Sequence, residues 1–337
     1  MSYYLILLVF SLLSFHSKCD SYNEEDITNQ IKFLSKLDYK EPDVVTNCPI
    51  IGILVKNIKK GSGLPSDFKL YVEHKYVNFA MAGGGRVVPI DPNNISEIDD
   101  RIRRVNGILI PDGDDLLIQN NQLTNYSIAV KRILQYVITQ NDVGLNTPLL
   151  AIGNGFYAIN IVIAHNFTNL FTPCPNCFDF NTYLDFTLKA SYSRIYSNEN
   201  AFLLHSCHKH NLAYFYKISN IISSQNFNND INLVHFFNIL SNSNTSSSPQ
   251  IMFPSSLESK KYPIYLTRFL PESPIFDYIP ERNMNRSEEA IRFGLNIANY
   301  FVNEARKNYS PLMFLPDQVI YYWTLNVIDG YGPTYLK

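Results

Sequence analysis

The stretch PLLAIGNGFYAINIVIAH, residues 148–165, most constrains what this chain can fold into. A short apolar run, Leu149–Ile152, meets Gly153-Asn154-Gly155, and an apolar segment with helical spacing follows. This order predicts a buried parallel strand, a tight turn and a helix that packs back on the sheet. In α/β hydrolytic folds such a turn is the nucleophile elbow, which holds one reactive side chain beside a helix N-terminus. Because the apex residue is Gly153, the sequence predicts the scaffold of an active site without its nucleophile.

The rest of the chain has the pattern of an α/β protein. The predicted strands are 49–56, 86–90, 107–110 and 262–269, and the predicted helices are 67–82, 95–104, 124–139 and 287–307. This alternation predicts a three-layer sandwich, with a mainly parallel central sheet and a functional cleft at the carboxyl ends of its strands. The glycines at 83–85 follow a helix and precede a strand, the opposite order from a phosphate-binding loop, so they are predicted to end the helix. Residues 169–225 are predicted as short antiparallel strands and 241–249 as a loop.

Composition bounds the class of protein. The chain has 337 residues, of which 46% are hydrophobic and 17% charged, as in a folded globular protein. Its formal net charge of -2 leaves no basic excess to follow a phosphate backbone, so we expect no nucleic-acid partner.

The N-terminus predicts entry into the secretory pathway. A mostly apolar run over residues 5–15 is too short to span a bilayer, and small residues before Asp20 suit cleavage there, although an uncleaved anchor is the alternative. We therefore predict a signal peptide at 1–19, an extension at 20–46, an α/β domain at 47–308 and a tail at 309–337. No membrane span is expected after cleavage. Six sequons fit this route, and we expect part of them to carry glycan: Asn94, Asn125, Asn166, Asn244, Asn285 and Asn308.

Four cysteines remain after cleavage. They are Cys48, Cys174, Cys177 and Cys207. In an oxidising compartment they are candidates for structural disulfides, with free thiols or half of a zinc site as the alternatives. No second C-x-x-C follows, and the nearby histidines lack an established zinc spacing, so we predict no metal and no cofactor.

Several stretches resemble the γ-glutamyl hydrolases, secreted or lysosomal enzymes that trim polyglutamate tails from folates. The likeness covers about residues 49–308, and its strongest parts are PIIGILV (49–55), AGGGRVVPI (82–90), NGILIPDGDDL (106–116), KYPIYLTRFLPE (261–272) and YFVNEARKN (300–308). The resemblance implies the class I glutamine-amidotransferase-like fold, which is flavodoxin-like. It also allows a homodimer.

The resemblance implies a cysteine, a histidine and a glutamate as the acting groups. The family's elbow, G-x-C-x-G-F, matches residues 151–156, which places Gly153 at the cysteine position; Tyr157 replaces a glutamate that follows. The family's W-H-P-E matches residues 269–272, so Leu270 stands at the histidine position and Glu272 retains the acid. The family's oxyanion turn, P-G-G, becomes Pro111-Asp112-Gly113, which places negative charge where an oxyanion would develop.

These losses favour a catalytically inactive homologue that binds an unknown small molecule or protein. An active hydrolase with an atypical nucleophile is the alternative, and a purely structural glycoprotein is a weaker one. The residues that match or lie near the family's groove are Tyr71, Asp112, Gly113, Tyr157, His205 and Glu272. We expect Glu272 to need a new partner, for which Arg268 is a candidate only if its side chain turns inward. We also expect an acidic cleft that binds polyglutamate poorly.

Overall fold

The computed structural model of the protein describes residues 46–59, 61–65, 67–177, 180–197, 212–216, 218–277, 282, 284–309, 319–320, 326–328 and 332–337. The predicted signal peptide, most of the predicted extension, His205 and Cys207 lie outside the described residues. The strands are β1 (Ile50–Leu54), β2 (Lys56–Asn57), β3 (Leu70–Glu73), β4 (Arg86–Ile90), β5 (Gly107–Ile110), β6 (Ile118–Gln119), β7 (Gln122–Leu123), β8 (Leu149–Ile152), β9 (Thr172–Cys177), β10 (Phe180–Tyr183), β11 (Asp185–Phe186), β12 (Leu212–Phe215), β13 (Ile218–Ile221), β14 (Phe237–Asn244), β15 (Met252–Ser259), β16 (Ile264–Thr267), β17 (Asn326–Ile328) and β18 (Gly332–Leu336). The helices are α1 (His74–Ala82), α2 (Ile95–Ile102), α3 (Asn125–Asp142), α4 (Asn154–Ile163), α5 (Ser224–Asn229), α6 (Ile231–Phe236), α7 (Ser273–Phe276) and α8 (Glu288–Arg306), with 3-10 turns at Phe167–Asn169 and Leu188–Tyr192.

An eight-stranded sheet in the order β11-β14-β15-β16-β8-β5-β1-β4 organises the described chain. The run from β16 to β4 is parallel, and β11, β14 and β15 add an antiparallel edge. The predicted α/β class with a mainly parallel central sheet is therefore confirmed. The carboxyl ends of β16, β8, β5, β1 and β4 lie along one edge of this sheet.

Side chains alternate between two hydrophobic cores, one on each face of the sheet. Ile51, Leu109 and Leu150 belong to one core with residues of α1 and α8. Leu54, Ile108 and Leu149 belong to the other core with residues of α2, α3 and α4. Successive residues of a strand point to opposite faces, so strands that are apolar throughout supply both cores, and the three layers follow.

The structure corrects three local predictions. Residues 70–73 of the predicted helix 67–82 form β3, because their backbone pairs with β2 and with β18, far away in the chain. The predicted loop 241–249 begins inside β14, where Ser241 Oγ hydrogen-bonds Ser255 and Ser256 of β15 at 2.8 and 2.6 Å. The tail at 309–337 is not separate from the domain, since β18 pairs with β3.

The less regular region after α4 contains short antiparallel pairs, as predicted. β10 pairs with β12 and β13 pairs with β9 among the described residues. No helix in the described part of the chain is long and apolar enough to cross a membrane.

Candidate functional site

The elbow forms where the sequence predicts it. β8 ends at Ile152, Gly153 has φ 60° and ψ -111°, and α4 begins at Asn154. The Gly153 N–H donates to the Thr267 carbonyl at 2.9 Å, which holds the apex beside the end of β16. A positive φ suits glycine, since a side chain in this conformation is strained.

Asp112 occupies the space next to the apex. Its Oδ1 accepts a hydrogen bond from the Asn154 backbone N–H at 2.6 Å. A Cβ atom added to Gly153 would overlap the Asp112 side chain. In a nucleophile elbow, the N–H after the apex is one donor of the oxyanion hole. Here that donor is taken by a carboxylate of the chain itself.

The position of the family's base is apolar and closed. Leu270 is buried among aromatic residues such as Phe269, and its N–H donates to the Tyr214 carbonyl at 3.1 Å. Two residues on, Glu272 is fully buried. Its Oε1 accepts from Ser273 Oγ at 3.2 Å, and its Oε2 has no hydrogen-bond partner within the described chain.

Two buried lysines that were not among the predicted site residues, Lys56 and Lys75, lie in this site. Lys75 Nζ lies 3.2 Å from Glu73, 3.4 Å from Asp277 and 3.8 Å from Glu272. Lys56 Nζ lies 2.9 Å from Glu73, and Asp277 also pairs with Arg282. We call Lys56, Glu73, Lys75, Glu272, Asp277 and Arg282 the buried ion cluster.

The pKa shifts follow from burial and from these pairs. Burial raises the pKa of Glu272 to about 7, against the opposing effect of Lys75 and with a contribution from Asp112. Burial alone would lower the pKa of Lys56, but Glu73, Tyr71 and Asp112 together raise it. Burial would raise the pKa of Glu73, yet the two lysines hold it well below its usual value. The ion pairs therefore favour the charged forms of Glu73 and of both lysines, whereas burial moves the pKa of Glu272 towards neutral pH.

The predicted cleft residues that the structure describes lie around this centre. Lys56 Nζ lies 5.1 Å from the centroid of the Tyr71 ring, and a Cβ atom on Gly113 would overlap the Lys56 side chain. Tyr157 lies on α4, and its ring centroid is 4.8 Å from the Arg268 guanidinium carbon. His205 lies outside the described residues.

Two expectations about charge need correction. Arg268 is buried against Tyr157 and makes no ion pair with Glu272; the cation near Glu272 is Lys75. The cleft is not simply acidic, because three cations of the ion cluster face its carboxylates. The sequence contains a signal for Lys56, because this lysine ends the apolar run 49–56, at the carboxyl edge of the parallel strands. The sequence contains no such signal for Lys75, because the direction of its side chain depends on the residue at which α1 begins.

The structure shows the state of three cysteines and the exposure of the six sequon asparagines. Cys174 and Cys177 form a disulfide with Cα atoms 5.6 Å apart, and Cys48 is a free, exposed thiol. Asn308 is a poor glycan site: it is 5% exposed, and its Nδ2 donates to Thr147 Oγ1 at 3.0 Å, so a glycan would break this packing. The other sequon asparagines are exposed, except for the half-buried Asn285. In the described chain, no group of three or more His, Cys, Asp or Glu residues could hold a metal ion.

Comparisons with known proteins bear on the family of this chain. The family model for Peptidase C26 matches residues 49–172. Gamma-glutamyl hydrolase of Rattus norvegicus is 30% identical over 262 residues, covering 77% of this chain and 78% of its own. Gamma-glutamyl hydrolase B of Dictyostelium discoideum is 30% identical over 307 residues, covering 87% and 81%. A solved structure of a GMP synthase protein from Thermoplasma acidophilum aligns with a TM-score of 0.42 and 15% identity, covering 74% of this chain and 94% of that one.

The identity to the rat and Dictyostelium enzymes extends over more than three quarters of this chain and of theirs. At 87% of this chain, the alignment with the Dictyostelium protein includes the elbow and the segment that carries Leu270 and Glu272. The chain belongs to the γ-glutamyl hydrolase family.

Proposed function

We propose that this chain is a non-hydrolytic member of the γ-glutamyl hydrolase family, which acts by binding a ligand or a protein. One observation carries the proposal: the elbow apex is Gly153, and the Asp112 carboxylate accepts the Asn154 N–H beside it. The nucleophile is absent, and a chain carboxylate takes the oxyanion donor.

The chemistry of amide hydrolysis explains why these features oppose activity. A thiolate mechanism needs a nucleophile, a base that accepts its proton and donors for the oxyanion. Leu270 neither accepts nor donates a proton, and Gly153 has no side chain. The charge of Asp112 would repel an oxyanion that develops at the same N–H. Because these groups act as a unit, what remains is expected to leave negligible turnover.

An atypical nucleophile has little support among the described thiols. Cys174 and Cys177 are joined in a disulfide. Cys48 precedes β1, at the amino edge of the parallel strands, whereas the elbow lies at their carboxyl edge. At about 3.3 Å per residue, a strand of this length separates the two edges by about 15 Å.

The activity test uses the protein as secreted, with a folyl-polyglutamate substrate. We expect no shortening by the wild-type chain, even at high protein concentration. The triple variant Asp112→Gly, Gly153→Cys, Leu270→His is expected to gain measurable turnover, and Gly153→Cys, Leu270→His to gain less, because Asp112 still takes the oxyanion donor. Wild-type turnover that disappears in a folded Glu272→Ala variant would contradict the proposal.

We also propose that the protein passes through the secretory pathway, to the cell exterior or the lysosome. The apolar leader at 1–19, the exposed sequons and the disulfide support this route. The expected mature N-terminus is Asp20, read by Edman sequencing. Enzymatic deglycosylation should lower the mass of the secreted protein, and the peptide containing Asn308 should be unmodified.

A further inference from the structure

A cavity of about 480 Å³ lies near the elbow, at the carboxyl edge of the sheet. The chain segments that follow β1, β4 and β5 form it, with the β6–β7 hairpin and the first turn of α3. Asn154 Nδ2 donates to the Asp115 carbonyl at 3.0 Å, which connects one wall of the cavity to the elbow. Neither Gly153 nor Leu270 lines it. Six of its lining residues carry a carboxamide: Asn57, Asn93, Gln119, Asn120, Gln122 and Asn125.

One wall of this carboxamide pocket is held in place by hydrogen bonds. Asn93 Nδ2 donates to Asn57 Oδ1 at 2.7 Å, and Asn57 Nδ2 donates to Asp115 Oδ1 at 3.0 Å. The Asn57 backbone N–H also points to Asp115 Oδ1, at 3.4 Å. Asp115 is half-buried, and burial raises the pKa of its carboxyl. Side chains fixed in this way bind a ligand with little loss of conformational entropy.

Four other lining residues present amides that the fold does not use. The side chains of Gln119, Asn120, Gln122 and Asn125 make no hydrogen bond to any residue that the structure describes. The hairpin that carries three of them has positive φ at Asn120 and Asn121, 50° and 57°, which is the geometry of a tight type I′ turn. The turn therefore projects these amides from a defined backbone.

The charge of the pocket selects against ions. Its charged lining residues in the described chain are Lys59 and Asp115, which have opposite signs. The Lys59 ammonium bonds the Asp114 carbonyl and favours the charged form of Asp115, so the two opposite charges offset each other. An anionic or cationic ligand would find no uncompensated partner there, so neutral polar groups fit best.

We propose that this pocket binds a neutral polyhydroxylated ligand, a saccharide of one or two rings. Each carboxamide offers donors and an acceptor, which match hydroxyl groups that both donate and accept. The exposed Leu116 and the half-buried Leu123 supply apolar surface for the C–H face of a sugar. The volume falls in the range of about 300–1,000 Å³ that is typical of small-ligand sites. This assignment names a ligand class for the proposed binding function. It does not depend on whether the elbow is catalytically inactive.

The test is calorimetry with glucose, N-acetylglucosamine and maltose, with citrate as an anionic control. The assignment places Asn125 among the sequons that carry no glycan, and export to the bacterial periplasm leaves this side chain unmodified in the protein tested. We expect one of the sugars to bind and citrate not to bind. The variant Gln122→Ala, Asn125→Ala should weaken sugar binding about tenfold, the change expected from losing one or two net hydrogen bonds. Gln135→Ala, an exposed glutamine further along α3, should leave it unchanged.

Three results would overturn the assignment. They are no binding of any of the three sugars at high millimolar concentration, equal binding by the double variant, and tighter binding of citrate. The side chains of Gln122 and Asn125 are exposed and make no hydrogen bond within the described chain, so the double variant should fold. A thermal melt at the same temperature as that of the wild type checks this. Hydrolysis by the wild-type chain would contradict the proposed function alone, and it would leave sugar binding at this pocket standing.

Discussion

At the scale of single residues, Asp112 and Gly153 form a coupled pair. The carboxylate lies where a side chain at the apex would have to lie, and it accepts the adjacent N–H at 2.6 Å. The family's pattern has glycine at the first of these positions and cysteine at the second. In this chain the apex has no side chain, and the Asp112 carboxylate fills the space that a cysteine side chain at position 153 would occupy. The glycine at 153 and the aspartate at 112 are therefore compatible with each other.

Gly153→Cys alone should therefore destabilise the protein. We expect a loss of about 2–4 kcal/mol, from overlap with Asp112 and from strain at φ 60°. In an Asp112→Gly background the same change should cost about 1–2 kcal/mol, since only the strain remains. Urea denaturation of the four proteins measures the coupling free energy. Simple additivity of the two changes would show that the pair is not coupled.

Glu272 should make stability depend on pH in the neutral range. Its pKa is about 7 in the folded chain, above the ordinary value of 4.5, because burial disfavours its charged form. Below pH 4.5 both states hold the proton. Between pH 4.5 and 7 only the folded state holds it, so the free energy of unfolding falls as pH rises through this window, by about 3 kcal/mol in total.

Glu272→Gln removes this titration while it keeps the size and the polarity of the side chain. We expect the variant to gain stability relative to the wild type as pH rises from 5 to 8, measured by urea denaturation at each pH. Glu288→Gln, at an exposed position in the first turn of α8, is the matched control and should show no such trend. A constant difference between Glu272→Gln and wild type at all pH values would contradict the assigned burial effect.

At the scale of elements, α8 shows how local chemistry sets the ends of a helix. Ser287 Oγ accepts from the Ala290 N–H at 3.3 Å, and Glu288 and Glu289 occupy the first turn. At the other end, Arg306 donates to the carbonyls of Asn47 and Gly83, at 2.9 and 3.4 Å. The last turn of α8 therefore supports the chain before β1 and the end of α1.

Ser287→Ala should cost about 1 kcal/mol, the usual value for the loss of a helix N-cap. Ser287→Thr keeps the accepting oxygen and should lose little. Ser197→Ala, at an exposed position outside the helices, is the control for removing a hydroxyl. Chemical denaturation ranks the three variants, and a Thr variant as unstable as the Ala variant would argue against capping.

At the scale of the whole molecule, the C-terminal residues complete the domain. β18 pairs with β3, the strand that carries Tyr71 and Glu73. Leu336 packs with Leu64 and Tyr71 in a small separate cluster. A chain that stops at the predicted boundary of 308 would expose the edge of β3 next to the buried ion cluster.

A chain truncated after residue 308 should therefore unfold at a clearly lower temperature than the full chain. Leu336→Ala should produce a smaller decrease, of about 2 kcal/mol, because it removes the side chain and keeps the strand pairing. Thermal denaturation followed by circular dichroism compares the three chains. Equal melting temperatures for the truncated and full chains would show that the tail does not support the domain.

The sequence by itself determined the features that depend on near neighbours. Leu149–Ile152 with its glycines predicted the elbow, Ser287 with its two glutamates predicted the start of α8, and continuous apolar runs predicted the parallel strands. The glycine at the apex and Leu270 could also be identified by comparison with the family's motifs. Propensity, capping and periodicity act within a few residues, so these features can be derived from the chain alone.

Only the tertiary structure decided what surrounds the empty apex. Asp112 bonds a backbone N–H 42 residues away, and Lys75 pairs with Asp277, 202 residues away. The pairing of β3 with β18 turned a predicted helical turn into a strand and placed Glu73 between two lysines. These contacts depend on sheet register and on strand order, which bring distant residues to within about 4 Å. Local rules contain no information about such distances, and for this reason the buried ion cluster and the carboxamide pocket emerged only from the fold.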